Sequence, residues 1–389
     1  MGDENLRGNW NFPTGIVAGE GTIVQLPGCC RELGMSRPLL VTDPGLALLP
    51  MVEEALCDCR IAGVEAGLFS NIKSNPGSRN VADGVSAFAA GGHDGIIAFG
   101  GGSAIDAAKA IALMVGQQRP LWDFVDLGDN WRRANAAGIA TIIAVPTTAG
   151  TGSEVGRAAL ITDEEAQIKR IIFHPSLLPA RVILDPALTV GLPPGITAAT
   201  GMDALSHNLE ALCSPLYHPM AEGIAVEGIR LVSENLCPAV ANGSDLSARM
   251  HMITASAMGA TAFQKGLGAM HALAHPLGAL YDAHHGLLNA VLMPYVLLAN
   301  RSAVGDKLER AARYMNVQNP GFDSFLGWVL QLRETIAIPH TLREIGIDDS
   351  QRELVGQMAV ADPTAATNPI PLNALEYAEL FSRAVNGEI

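Results

Sequence analysis

A chain of 389 residues is long enough for two domains, each with its own core. Its 49% hydrophobic, 16% charged and 5% aromatic residues, with 41 glycines, describe a globular chain with closely packed, small-residue helices. A formal net charge of −14 argues against nucleic acid as a partner, because phosphate binding needs basic patches.

The N-terminus, MGDENLRGNW, is acidic and polar, unlike a signal peptide. The longest apolar runs, such as 287–299 with Pro294 inside it, are too short to span a bilayer. The expected location is therefore the cytoplasm, with no membrane partner. Six scattered cysteines, among them Cys29-Cys30 and Cys57-Asp58-Cys59, form no CxxC. They read as reduced, mostly buried thiols rather than a zinc knuckle or redox motif.

Short β-rich runs recur along the first half: PLLVT at 38–42, GIIAF at 95–99, TIIAV at 141–145 and RVIL at 181–184. Between the earlier ones, 51–62 and 81–90 carry apolar residues at helical spacing. Apolar strands separated by helices imply a parallel sheet covered on both faces. Near Asp185-Pro186 the strands stop, and Ala-, Leu- and Met-rich helical segments take over. The expected architecture is an α/β domain over 1–186 and an all-helical domain over 187–389.

FGGGS at 99–103 ends one strand and opens a helix expected over 103–115. Its glycines allow close backbone approach, and a helix N-terminus offers free N–H groups and a positive dipole end to a pyrophosphate. The spacing is not GxGxxG, and a plain strand-to-helix turn is the alternative reading. Two further loops follow strands: TTAGTGSE at 147–154 and Asp43-Pro44-Gly45. Ligands of open α/β sheets bind at the carboxyl ends of strands, so three such loops describe a nucleotide cleft. Asp43 either bonds a ribose hydroxyl and repels a 2′-phosphate, favouring NAD over NADP, or opens an ordinary Asp-Pro-Gly turn.

The segment 201–286 concentrates the chemistry. Asp203 and His207 lie four apart, as do His271 and His275, and His284 and His285 follow. Positions i and i+4 share a helix face. Two such pairs supply the N and O ligands that Zn²⁺ or Fe²⁺ takes at roughly 2.0–2.2 Å. A continuous helix would separate His271 from His285 by about 21 Å. The chain must break between them, at Gly278 or in the Tyr281-Asp282-Ala283 run.

GGGSAIDAAK at 100–109, PTTAGTGSE at 146–154, GMDALSHNLEA at 201–211 and HALAHPLGALYDAHHG at 271–286 together resemble the iron-containing (group III) alcohol dehydrogenase family. The resemblance runs from FPTG at 12–15 over nearly the whole chain and thins towards the C-terminus. It implies an N-terminal dinucleotide-binding α/β domain with a mostly parallel sheet, and an all-α catalytic domain. Asp203, His207, His271 and His285 match the metal ligands, and His275 matches a non-ligand histidine beside nicotinamide and substrate. Asp43, Asn75, Gly101, Gly102, Ser103, Thr147, Thr148, Thr151 and Lys169 fall where the family contacts NAD(P). The role of Asp106 is open. KSNPG at 73–77 and Val155-Gly156-Arg157 depart from the commoner family pattern, which puts the adenine-side loop and the substrate in doubt.

The expected cofactors are NAD(H) and one divalent ion, Fe²⁺ or Zn²⁺. The expected reaction is hydride transfer between a small alcohol, or its aldehyde or ketone, and NAD(H). The alternatives are a polyol or hydroxyacid/semialdehyde dehydrogenase and, more distantly, a dehydroquinate-synthase-like lyase. His275 is the candidate proton relay, with simple support of the site as its other reading. The family suggests a homodimer or larger assembly.

Overall fold

The computed structural model describes residues 10–12 and 14–389. Residues 1–9 of the stretch read above as no signal peptide, and Pro13 of the FPTG motif, lie outside the described residues. The chain divides into two compact units. One takes residues 14–148 and Gly152–Gly191. The other takes Leu192–Ile389, together with Ala149–Thr151 and the described residues up to Phe12. The cut falls after Gly191, close to the boundary expected near Asp185-Pro186, and three residues of the TTAGTGSE loop group with the helical unit.

The first unit is built on a parallel sheet of six strands in the order β1-β8-β5-β4-β2-β3. These strands are β1 (Gly15–Ala18), β2 (Leu39–Val41), β3 (Gly67–Phe69), β4 (Ile96–Gly100), β5 (Ile142–Pro146) and β8 (Arg181–Leu184). Every residue of β4 and β5 is buried, as expected of strands covered on both faces. The helices of this unit are α1 (Leu26–Glu32), α2 (Pro50–Ile61), α3 (Ser78–Gly91) and α4 (Gly102–Met114). Leu26 and Cys30 of α1, and Val52 and Cys59 of α2, share one core cluster with Leu40, Phe99, Val145 and Ile183 of the sheet. An antiparallel pair, β6 (Ala158–Asp163) and β7 (Ile168–Phe173), forms a second sheet. Sequence periodicity had shown neither this hairpin nor β1 and β3.

The second unit is all helical among its described residues: α5 (Pro194–Cys213), α6 (Pro219–Ala241), α7 (Leu246–Ala262), α8 (Ala269–Tyr281), α9 (His285–Ala299), α10 (Arg301–Tyr314), α11 (Phe322–Thr335), α12 (Arg352–Ala361) and α13 (Ala374–Asn386), with short 3-10 turns. The entire run from Thr197 to Cys213 of α5 is buried, so this helix is the axis of the unit. Small residues let its neighbours approach. A Cβ on Gly228 of α6 would lie 2.0 Å from Asn208 Oδ1, and one on Gly259 of α7 would lie 2.9 Å from His207 Cβ. Among the described residues no single helix is long and apolar enough to cross a membrane.

The break demanded between His271 and His285 falls at Asp282-Ala283-His284. Asp282 ends α8 with φ of 50°, a left-handed value that Asp tolerates better than most residues. Gly278 remains inside α8, so it is not the hinge. His284 then caps α9, its Nδ1 accepting from the Leu287 amide at 3.3 Å.

Candidate metal centre and nucleotide loops

Asp203, His207, His271 and His285 each place one donor atom within 4.8 Å of all the others. Two come from adjacent turns of α5, one from α8, and one from the first residue of α9. Asp203, His207 and His271 are buried, and the His285 side chain is 20% exposed. The His207 and His271 rings stack at 4.8 Å between centroids, and those of His271 and His285 lie 5.3 Å apart.

Their second nitrogens reveal which atoms are left for a ligand. His207 Nδ1 lies 3.2 Å from the carbonyl oxygen of Gly150, which can only accept, so Nδ1 carries the proton. His271 Nδ1 lies 2.7 Å from Glu210 Oε2 and is held the same way. With the Nδ1 proton held in this way, the neutral form of either ring has its lone pair on Nε2. Carboxylate- or carbonyl-anchored imidazoles of this kind are what a metal site uses. Burial pushes the His271 imidazole well below its ordinary value, which keeps it neutral. Asn289 Nδ2 sits 2.9 Å from Asp203 Oδ1 and 3.2 Å from Nε2 of both His271 and His285. The donor set, three imidazoles and one buried carboxylate, fits a divalent transition ion.

His275 is one helical turn after His271, and its ring stacks on that of His285 at 5.5 Å. Its Nδ1 lies 2.8 Å from Asp362 Oδ2, and the other Asp362 oxygen accepts from the Thr364 amide and hydroxyl at 2.9 and 2.6 Å. Burial pushes the Asp362 carboxyl up, but the neighbouring His275 and these hydrogen bonds outweigh it and hold it below the usual carboxylate range. His284 is exposed and belongs to the helix cap instead.

Sequence reading missed three partners of these side chains, two buried and one partly buried. Glu210 was within reach, seven residues after Asp203 and three after His207, so on the same side of α5. Asn289 follows His285 by one turn. Asp362 lies 87 residues from His275, and no local spacing could reveal it.

The proposed nucleotide loops divide between the units. In the α/β unit, Gly101 caps α4, Gly102 is its first residue and Ser103 its second. This is one residue earlier than the helix expected over 103–115. The Thr147 amide donates to the Gly100 carbonyl at 3.0 Å, and Thr148 packs against Gly101 so closely that a Cβ there would lie 3.2 Å away. Asp43 Oδ1 accepts from the Gly45 and Leu46 amides at 2.9 and 3.0 Å, the contacts of an Asp turn. Asn75, at a left-handed φ of 51°, receives a 2.7 Å hydrogen bond from Lys169. Thr151 groups with the helical unit.

Asp106, whose role was open, lies in a buried charged cluster with Lys109 and Glu154. Its carboxylate accepts from Ser153 Oγ at 2.5 Å and from the Leu160 amide at 3.1 Å. Lys109 Nζ donates to Ser153 O, to Ser153 Oγ at 3.0 Å, and to the carbonyls of Gly156 and Ala158 at 2.9 and 3.0 Å. The pair pins the segment that leads from β5 into β6.

Three imidazoles and a carboxylate converging on one point define a candidate divalent-metal centre, on a chain whose α/β unit opens a helix behind a glycine run. The family described as "Iron-containing alcohol dehydrogenase" matches residues 13–186, and "Fe-containing alcohol dehydrogenase family, C-terminal" matches 197–385. The chain is 37% identical to a 4-hydroxybutyrate dehydrogenase of Cupriavidus necator, over 94% of this chain and 96% of that one. It is 30% identical to an NAD-dependent methanol dehydrogenase of Bacillus methanolicus, over 97% of this chain and the full length of the other. A crystal structure of 1,3-propanediol oxidoreductase superposes with a TM-score of 0.91 at 36% identity, covering 97% of this chain and 99% of that one. The chain belongs to the iron-containing alcohol dehydrogenase family.

Proposed function

We propose that Asp203, His207, His271 and His285 hold one divalent ion, Fe²⁺ in the cell with Zn²⁺ as the alternative occupant. The observation that carries this reading is the convergence of four donor atoms within 4.8 Å. When bound, such an ion supplies a Lewis acid that makes an alcohol a stronger acid and polarises a carbonyl. The protein's own residues supply the rest. The Asp203 carboxylate and three neutral imidazoles offset one of the two positive charges. His275, anchored through Nδ1–H by Asp362, keeps an Nε2 lone pair with which to relay the alcohol proton towards solvent.

Asp43, Asn75, Gly101, Gly102, Ser103, Thr147, Thr148, Thr151 and Lys169 contact NAD(H), whose nicotinamide takes or gives the hydride. The substrate is a small primary alcohol or its aldehyde. Both 4-hydroxybutyrate and 1,3-propanediol, named for two relatives, carry a primary hydroxyl, and this favours an ω-hydroxy acid or diol as the particular substrate. The enzyme works in the cytoplasm as a homodimer or larger homo-oligomer.

The test is a metal analysis of protein purified without added metal, followed by NAD-linked assay with ethanol, 1,3-propanediol and 4-hydroxybutyrate. NADH should form with at least one of them in proportion to metal content. Metal-loaded protein that forms no NADH with any alcohol would sink the reading.

A further inference from the structure

Glu210 is 5% exposed and belongs to none of the four donors, yet it touches both helices that carry most of them. It stands on α5, which bears Asp203 and His207. Its Oε1 accepts from the Met270 amide at 2.7 Å, and its Oε2 from the Gly268 amide at 2.8 Å. These amides open α8, where backbone N–H groups have no partner within the helix. The same Oε2 meets His271 Nδ1 at 2.7 Å. One carboxylate therefore fixes the start of α8 and the orientation and tautomer of the histidine that α8 contributes.

We propose that Glu210 is a positioning residue for the metal: by holding Nδ1–H of His271, it presents Nε2 as a preformed ligand. This rests on the ligand set proposed above. Its chemistry is specific to a carboxylate, because all three partners donate and only an acceptor with two oxygens satisfies them together. A Gln at 210 would turn an N–H group towards one of these donors. A carboxylate partner of a ligating histidine is worth roughly 10–100-fold in metal affinity.

A neighbouring residue separates this role from simple helix capping. Asn368 Oδ1 accepts from the Ala269 amide at 3.0 Å, so it also caps α8, but its other hydrogen bonds go to Asn300 and the Ile370 carbonyl. Zn²⁺ affinity of the full-length protein would be measured by competition with a chromogenic chelator, alongside melting temperature without metal. Glu210→Gln should weaken Zn²⁺ binding roughly 10–100-fold. Asn368→Ala should lower the metal-free melting temperature and leave affinity within a factor of about three, the scatter of an uncoupled cap. Glu210→Asp, a conservative variant that keeps the charge but cannot reach all three donors, should weaken binding at least tenfold, roughly the lower end of that range.

Unchanged affinity in either Glu210 variant, whatever its melting temperature, would overturn the proposal and leave Glu210 a cap only. Zn²⁺ binding that survives Asp203→Ala undiminished would instead overturn the ligand set, and the proposal with it.

Discussion

Glu154 is 1% exposed, and its Oε1 finds no hydrogen-bond partner among the described residues. Burial pushes its carboxyl from 4.5 up to about 7, while burial also brings neighbouring Lys109 down to about 8. A carboxyl raised on folding binds its proton more tightly in the folded state. Stability from this group is therefore full below 4.5 and is lost as pH rises to 7. The loss is roughly 3 kcal/mol. Glu154→Gln, which cannot ionise, should melt close to wild type at pH 4.5 and several degrees higher at pH 7.5 in cofactor-free protein. A difference that does not grow with pH would contradict this. At the metal centre, His275→Ala should lose most of the turnover rate while keeping its metal, because Asp362 rather than the ion holds that ring. Loss of metal from that variant would make His275 a ligand.

At the scale of elements, the centre depends on how closely α9 lies against α5. Gly286 directly follows His285, and a Cβ there would lie 2.4 Å from the Ala199 carbonyl oxygen and 3.0 Å from Asp203 Cβ. Backbone cannot yield as a side-chain tip can. Gly286→Ala should push the start of α9 away, separate His285 from Asp203, and reduce retained metal together with melting temperature. Wild-type metal content in that variant would show that α9 has room to spare. Much of this arrangement was legible in the sequence, because i, i+4 pairing on helices and the reach of a single ion are both local geometry. The length of a continuous helix alone required a break after His271. Its place was settled by Asp282 adopting a left-handed turn, which no periodicity reports. The β6–β7 hairpin was missed because the intermediate exposure of much of β7 gives no clean alternation. Asp362 was missed because its partnership with His275 is purely tertiary.

For the whole molecule, the family assignment fixes the class of chemistry and leaves cofactor preference to single residues. Asp43 spends Oδ1 on its own turn, and a carboxylate's second oxygen and its charge can both act against a 2′-phosphate. Wild type should favour NAD(H) over NADP(H) in kcat/KM, and Asp43→Gly should narrow that ratio. Equal use of both by wild type would remove Asp43 from the assignment. The most direct test of the centre itself uses the adjacent pair His284 and His285. One caps α9 from the surface, and the other points its donor among Asp203, His207 and His271. Wild type, His284→Ala and His285→Ala would be purified identically and assayed for bound metal by mass spectrometry. Wild type and His284→Ala should carry one divalent ion per chain, and His285→Ala should carry almost none and lose dehydrogenase activity. A metal-free His284→Ala beside a metal-loaded His285→Ala would contradict the account.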